Sequence, residues 1–356
     1  MALAMPSTSV KQKIALLGGG LFAGLLLSAL LYFPLKSLVQ WTRSSSAEGS
    51  TFESLDDLRS TMLQSDERDV KSDHSVSLRS LISPHPSDAI IYDLRPNTEV
   101  KFQGVPVRIN SCGMRSREIP IAKGEDVFRI AMLGDSYVFG WGVEEDKSFV
   151  SMLEQRLNQF TGGSPRVEVL NFGVPGYSTF QEVAAFNAIG RDFDPDLVLM
   201  YFIRNDFGLP FFIKSFGDSD EIVPGTTFDK MSEEGEHELV GEKRSTMFKL
   251  LNPNHQIRDI ANALNEQNIP FYLVFNPHGS SDLTRRKLWV LKPRKFINVV
   301  DLRDEFRRIT KEYGIDQNTL KLPHDEHPNA RKHALLADML TASLLGEFAR
   351  LDFTIK

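Results

Sequence analysis

Hydrophobic positions first occur as one unbroken block. Residues 14–33, IALLGGGLFAGLLLSALLYF, carry no charge. Twenty helical residues at a rise of about 1.5 Å span about 30 Å, the hydrocarbon core of a bilayer. Tyr32-Phe33-Pro34-Leu35-Lys36 follows where a cleaved leader would present small residues, so an uncleaved anchor fits better than a signal peptide. From Arg43 the chain turns to Ser, Asp, Glu, Lys and Arg, the composition of a linker, although Phe52, Leu55, Leu58 and Met62 recur at helical spacing. Beyond residue 88 the pattern is that of a folded core. Val105–Ile109 predicts a strand and Asn110–Arg115 a turn. Five short apolar runs then predict buried parallel strands: Phe128–Leu133, Val167–Leu170, Leu197–Phe202, Pro270–Phe275 and Ile297–Leu302. Helical spacing lies between and after them. Phe149, Met152, Leu153, Leu157 and Phe160 share one face, as do Ile257, Ile260, Ala261 and Leu264, and a last helix runs over Asn329–Phe348. Alternating strands and helices imply a doubly wound α/β fold with a five-stranded parallel sheet. The expected organisation is a short cytoplasmic tail (1–13), a transmembrane helix (14–33), a polar linker with a short helix (34–88) and a globular domain (89–356). The stretch 207–246 is too long for an ordinary connection and is expected to be an insertion, aromatic at its start and acidic in its middle.

Composition changes this picture little. Hydrophobic content of 41% and charged content of 25% are ordinary for a globular protein, and a net charge of -6 gives no reason to expect nucleic-acid binding. Cys112 is the one cysteine, so no internal disulfide and no zinc-cysteine pattern is expected. No phosphate loop of the Gly-x-x-x-x-Gly-Lys type occurs, and no cofactor is expected.

The candidate chemistry lies where the strands end. Gly134-Asp135-Ser136 follows the first, and Gly134 is expected to turn the chain at positive φ. Asn171-Phe172-Gly173-Val174-Pro175-Gly176-Tyr177-Ser178 follows the second, and Arg204-Asn205-Asp206 the third. His324-Asp325-Glu326-His327-Pro328-Asn329 follows the fifth and opens the last helix. In a doubly wound sheet these loops share one edge, the edge where ligands bind. A serine there needs a base and an oxyanion site to act as a nucleophile.

In order, spacing and context these four blocks resemble the SGNH (GDSL-type) hydrolase superfamily over roughly Phe128 to Leu344. The resemblance implies a flavodoxin-like sheet and a serine esterase. Ser136 is then the nucleophile, His327 the general base and Asp325 the group that orients it. The oxyanion hole is made by the N–H of Ser136, the N–H of Gly176 and the amide of Asn205. The commonest last block of the superfamily is Asp-x-x-His, whereas here Asp325 stands two before His327 and His324 three before it. Asp-x-His spacing resembles a membrane-associated bacterial branch that acylates or deacylates polysaccharides. It leaves open whether another group orients His327; Glu326 ranks below Asp325. The implied activity is a deacylase of O-acyl esters, above all O-acetyl groups of a cell-envelope glycan, with the domain outside the bacterial inner membrane. Lys11 and Lys13 on one side of the anchor nearly balance Lys36 and Arg43 on the other, so orientation leans on the resemblance.

Other outcomes share these residues. The same site could transfer the acyl group to a sugar hydroxyl, or the fold could be a non-catalytic component of an envelope assembly. A metal site from His324, Asp325, Glu326, His327 and His278 is disfavoured because Pro328 marks a helix entrance, which leaves residues 324–327 in a loop. A second Gly-Asp-Ser, Gly217-Asp218-Ser219, has no apolar run before it and reads as a polar turn. His333 is expected to pack or to cap.

Overall fold

The computed structural model of the chain describes residues 75–76, 78–87, 89–90, 92–203, 206, 252–277, 288–291, 296–323 and 325–348. The expected anchor (14–33), the linker helix around 52–62, nearly all of the 207–246 insertion, Asn205, His278 and His324 lie outside them. Among the described residues no helix is long and apolar enough to cross a membrane.

The described chain enters through a short helix, α1 (Leu78–Leu81), and two antiparallel ribbons. One pairs β1 (Ile82–Pro84) with β2 (Tyr92–Leu94), the other β3 (Thr98–Phe102) with β4 (Val105–Ile109). Gln103 and Gly104, both at positive φ, form the two-residue turn that a right-twisted hairpin requires. Residues 75–76 and 78–87, assigned to the linker on composition, belong to this layer. Leu78, Leu81 and Ile82 are buried, and Val76 bridges to Phe102.

The α/β alternation follows: β5 (Val127–Gly134), α2 (Ser136–Phe139), α3 (Phe149–Thr161), β6 (Arg166–Gly173), α4 (Thr179–Ala188), β7 (Leu197–Phe202), α5 (Pro253–Glu266), β8 (Phe271–Phe275), β9 (Asn298–Asp301), α6 (Arg303–Glu312) and α7 (Ala330–Phe348). The five strands are parallel in the order β6-β5-β7-β8-β9. The chain order therefore reverses direction at β5, which lies between β6 and β7. That is the switch point of a flavodoxin-like sheet, where a crevice opens beyond the strand ends.

Strand periodicity of two sorts the side chains of β5 onto both faces. Ile130 and Met132 join Phe149, Leu153 and Leu157 of α3, Phe306 of α6, and Leu336, Leu340 and Leu344 of α7. Ala131 and Leu133 join Val183 and Phe186 of α4 and Ile257, Ile260 and Leu264 of α5. Each fully buried Leu, Ile or Phe contributes about 1.5–3 kcal/mol relative to exposure, so both helical layers are held chiefly by this burial. Phe160 is a correction: it shares the helical spacing of the α3 face but is 59% exposed, in the last turn before the Gly162 cap.

The run that reads as apolar hides one charge. Arg129 is buried in β5, pairs with Glu168 of β6 at 2.9 Å, and donates to the carbonyls of Pro120, Ile121 and Phe193. A buried guanidinium is tolerated only when its donors are matched in this way. The pair ties the amino-terminal edge of the sheet, leaving the opposite edge free for chemistry.

Candidate active site

β5 and β6 run in register, with Gly134 beside Gly173, so Ser136 and Gly176 leave the sheet at the same edge. Gly134 does not turn at positive φ. It is required because a Cβ there would stand 2.3 Å from Cγ2 of Val138, in the helix that begins two residues later. That helix, α2, is one turn long. Asp135 caps it, accepting from the N–H of Tyr137 at 3.0 Å. Ser136 is its first residue, so its N–H has no acceptor within the helix.

The Ser136 hydroxyl meets Nε2 of His327 at 2.8 Å. On the other side of the ring, Nδ1 of His327 meets Oδ1 of Asp325 at 2.5 Å, and the same oxygen accepts the backbone N–H of His327 at 2.9 Å. The carboxylate thus grips ring and backbone together, which two-residue spacing permits in a loop. Half-burial alone would raise the pKa of Asp325. The bonds from His327 and from Trp141 more than reverse this and hold it well below the usual carboxylate range. Glu326 is exposed and pairs with Lys321 instead.

Trp141 was not anticipated from the sequence. Its Nε1–H donates to Oδ2 of Asp325 at 2.9 Å, and its ring stacks on His327 at 4.9 Å with 16° between planes. Phe102 of β3 packs edge-to-face with the indole at 4.8 Å. The loop that carries Trp141 is held by Arg115, which is buried and donates to the carbonyls of Phe139, Gly140 and Val143. Burial lowers the Arg115 pKa to about 10, which leaves it charged at neutral pH.

On the second strand, Val174-Pro175-Gly176-Tyr177 forms a turn closed by the Tyr177 N–H on the Val174 carbonyl at 3.1 Å. Gly176 has φ of +80°. Proline followed by glycine at positive φ is the type II signature. Asn171 ties this block to α2 by donating to the Val138 carbonyl at 3.1 Å.

Asn205 lies outside the described residues, but the next residue, Asp206, is placed and buried. Asp206 accepts from the N–H of Ile203 at 2.6 Å and the hydroxyl of Thr179 at 3.1 Å. Glu182 of α4 is its buried neighbour. Burial first, then the nearby charges of Asp206 and Asp135, push the Glu182 carboxyl well up, so it favours the protonated form beside Asp206. The Thr179 bond docks Asp206 onto α4. The sequence offers no signal for the burial of Glu182, which reads as a surface residue of a helix.

His333 is fully buried, and its Nδ1 accepts the N–H of Phe149 at 3.1 Å, the first residue of α3. It caps one helix from another. Burial, then the charges of Arg115, Lys332 and His327, lower its pKa from 6.5 to about 3. The unfolded chain therefore takes up a proton below about pH 6.5 that the folded chain refuses, and stability falls with pH in that window by up to about 1.4 kcal/mol per unit. His333→Gln keeps an acceptor for Phe149. It is expected to remove this slope between pH 6.5 and 5, read as the difference in urea midpoints from the parent protein.

The family model of GDSL-like lipase/acylhydrolases matches residues 130–340. No curated protein matches in sequence. Among solved structures the chain is similar to a two-domain esterase (CEX) active on acetylated mannans, co-crystallised with mannopentaose. The identity is 18% and the TM-score 0.39, over 61% of this chain and 49%, about half, of that one. It is similar to the acetyl xylan esterase AlAXEase at 16% identity and a TM-score of 0.39, over 61% of this chain and 99% of that one. It is also similar to the psychrotrophic esterase EstA from Pseudoalteromonas sp. at 13% identity and a TM-score of 0.40, over 62% and 98%.

Proposed function

We propose, for a chain that belongs to the GDSL-like lipase/acylhydrolase family and is therefore a carboxylic ester hydrolase by class, that it removes O-acyl groups through an acyl-enzyme on Ser136. The observation that carries this is the line from Ser136 Oγ to His327 Nε2 at 2.8 Å and from His327 Nδ1 to Asp325 at 2.5 Å. As Oγ bonds to the ester carbon, its proton passes to Nε2, and Asp325 stabilises the imidazolium. The oxygen of the tetrahedral intermediate takes the N–H groups of Ser136 and Gly176 and the amide of Asn205. The intermediate collapses, the bond to the alcohol breaks, and Nε2 returns the proton to the departing oxygen. Water then repeats the sequence on the acyl-enzyme and releases the acid.

The substrate we propose is an O-acetylated glycan of the cell envelope. Support comes from the Asp325-x-His327 spacing, which resembles the membrane-associated polysaccharide-modifying branch. It also comes from the uncharged stretch 14–33, which would anchor the domain outside a bacterial inner membrane. The test uses the full chain in detergent, an O-acetylated glycan, and p-nitrophenyl acetate and octanoate. Acetate release from the glycan is expected, with acetate preferred over octanoate and no release by Ser136→Ala. Preference for octanoate with an inert glycan would remove the acetyl-glycan assignment and leave a lipase-like one. Acetyl groups found on an added sugar rather than in water would make the enzyme a transferase.

A further inference from the structure

We propose that Tyr92, on the ribbon upstream of the family-matched residues, is the positioning residue that orients the Gly176 N–H toward the oxyanion, an inference that rests on the serine-esterase reading above. Tyr92 is buried, and its hydroxyl donates to the carbonyl of Pro175 at 2.7 Å. That carbonyl and the Gly176 N–H belong to one peptide unit. A planar trans peptide holds them on opposite sides, so fixing one fixes the other. The unit is also the one able to rotate, because it is the central peptide of the 174–177 turn. Proline at the second position is compatible with type I and type II turns alike, and these differ by a flip of this peptide. Glycine at the third position removes the steric penalty on either state. Local sequence therefore leaves the direction of the N–H under-determined, and a donor on the carbonyl settles it.

The donor is itself held in place. Tyr177 returns a hydrogen bond from its hydroxyl to the Tyr92 carbonyl at 2.5 Å, and the two rings meet edge to face at 5.3 Å. Gln181 of α4 donates to the carbonyl of Ile90 at 2.9 Å, fastening the same ribbon. Burial, then Asp135 and Asp93, raise the Tyr92 pKa well above 10, so the hydroxyl remains a donor across the working range of pH. The ribbon thus supports the site from outside the α/β sheet.

Tyr92→Phe removes the donor and keeps the ring. Loss of one oxyanion donor costs about 10²–10³ in turnover, and an N–H left free to flip is expected to cost part of this, about 10–30-fold in kcat. KM for p-nitrophenyl acetate is expected to stay within about twofold, and the pH dependence of kcat/KM to be unmoved. The rates are normalised to sites counted by fluorophosphonate labelling, so partial unfolding does not count as lost turnover. Tyr177→Phe removes a bond that holds Tyr92 but leaves the Tyr92 hydroxyl on Pro175, and is expected to cost less in kcat than Tyr92→Phe. Pro175→Ala, which leaves every tyrosine in place, is expected to keep kcat within about twofold, because the Tyr92 bond still selects the peptide orientation. A folded Tyr92→Phe enzyme with parental kcat overturns the proposal. So does a tenfold loss in Pro175→Ala, which would assign the orientation to proline. Ser136→Ala separates the two levels: activity that survives it refutes the esterase site itself, whereas Ser136-dependent activity indifferent to Tyr92 refutes only the positioning role.

Discussion

Replacing Ser136 by alanine is expected to lower kcat on p-nitrophenyl acetate by about 10⁴–10⁶-fold, with KM within about threefold. Only Oγ of Ser136 lies against Nε2 of His327 at the carboxyl edge of β5, so no second hydroxyl of the described chain inherits its role. The oxyanion donors proposed above would survive the change and sustain a residual rate, about 10³–10⁴ over water in enzymes that lose a member of the triad. His327→Ala is expected to lose nearly as much, because nucleophile and base act as a unit and their losses do not add. A fluorophosphonate probe gives a second readout. It should modify Ser136 in the parent chain, mapped by peptide mass spectrometry, and neither variant should be labelled. The alanine at 136 replaces a buried hydroxyl in the first turn of α2 and leaves the Asp135 cap in place, so the variant is expected to fold. Ester hydrolysis retained above a few per cent of the parental rate would exclude an acyl-enzyme on Ser136 and assign the hydrolysis to another residue.

Long-range structure explains what could and could not be read from the chain. The inner strands are legible because a parallel strand covered on both faces is an uninterrupted apolar run, as Leu197–Phe202 is, whereas β9, at the sheet edge, exposes Asn298 and Val299 and is not the buried strand expected at 297–302. The four blocks are legible because each sits where such a run stops. The residues that hold the blocks in place are not, since their partners are distant in sequence. Trp141 reaches Asp325 across 184 positions, and Tyr92 reaches Pro175 across 83. Each reads alone as an aromatic in a loop or ribbon. Arg129 interrupts an apolar run and is accommodated only because Glu168 and four carbonyls converge on it from three segments. Gly134 shows the same limit at the smallest scale. A glycine at a strand end was legible, but the reason for it is a collision with Val138 rather than a backbone angle.

The departure from Asp-x-x-His spacing yields the second large effect. Asp325→Asn is expected to lower kcat by about 10³–10⁴, a loss of the size seen when the triad carboxylate becomes an amide. In the parent, Oδ1 of Asp325 accepts from both Nδ1 and the backbone N–H of His327, while Oδ2 accepts from Trp141. Three donors converge on two oxygens, a demand that a carboxylate meets and an amide does not. The asparagine must turn its NH₂ group toward one side. Turned toward the ring, it puts a donor on Nδ1 and forces the proton onto Nε2, the tautomer unable to accept from Ser136. Turned toward Trp141, it sets donor against donor. Trp141→Phe isolates the second contact. It retains an aromatic face against His327 and removes one bond to a half-buried carboxylate that water can replace, so a loss of about tenfold is expected. Glu326→Gln should leave kcat within about twofold, since that side chain is exposed and engages Lys321. Steady-state kinetics on the three variants therefore rank the carboxylates directly. If Asp325→Asn retained more than a tenth of the parental kcat, or Glu326→Gln fell further than it, the orienting role would belong elsewhere. The two-residue spacing would then be a loop contact without catalytic weight.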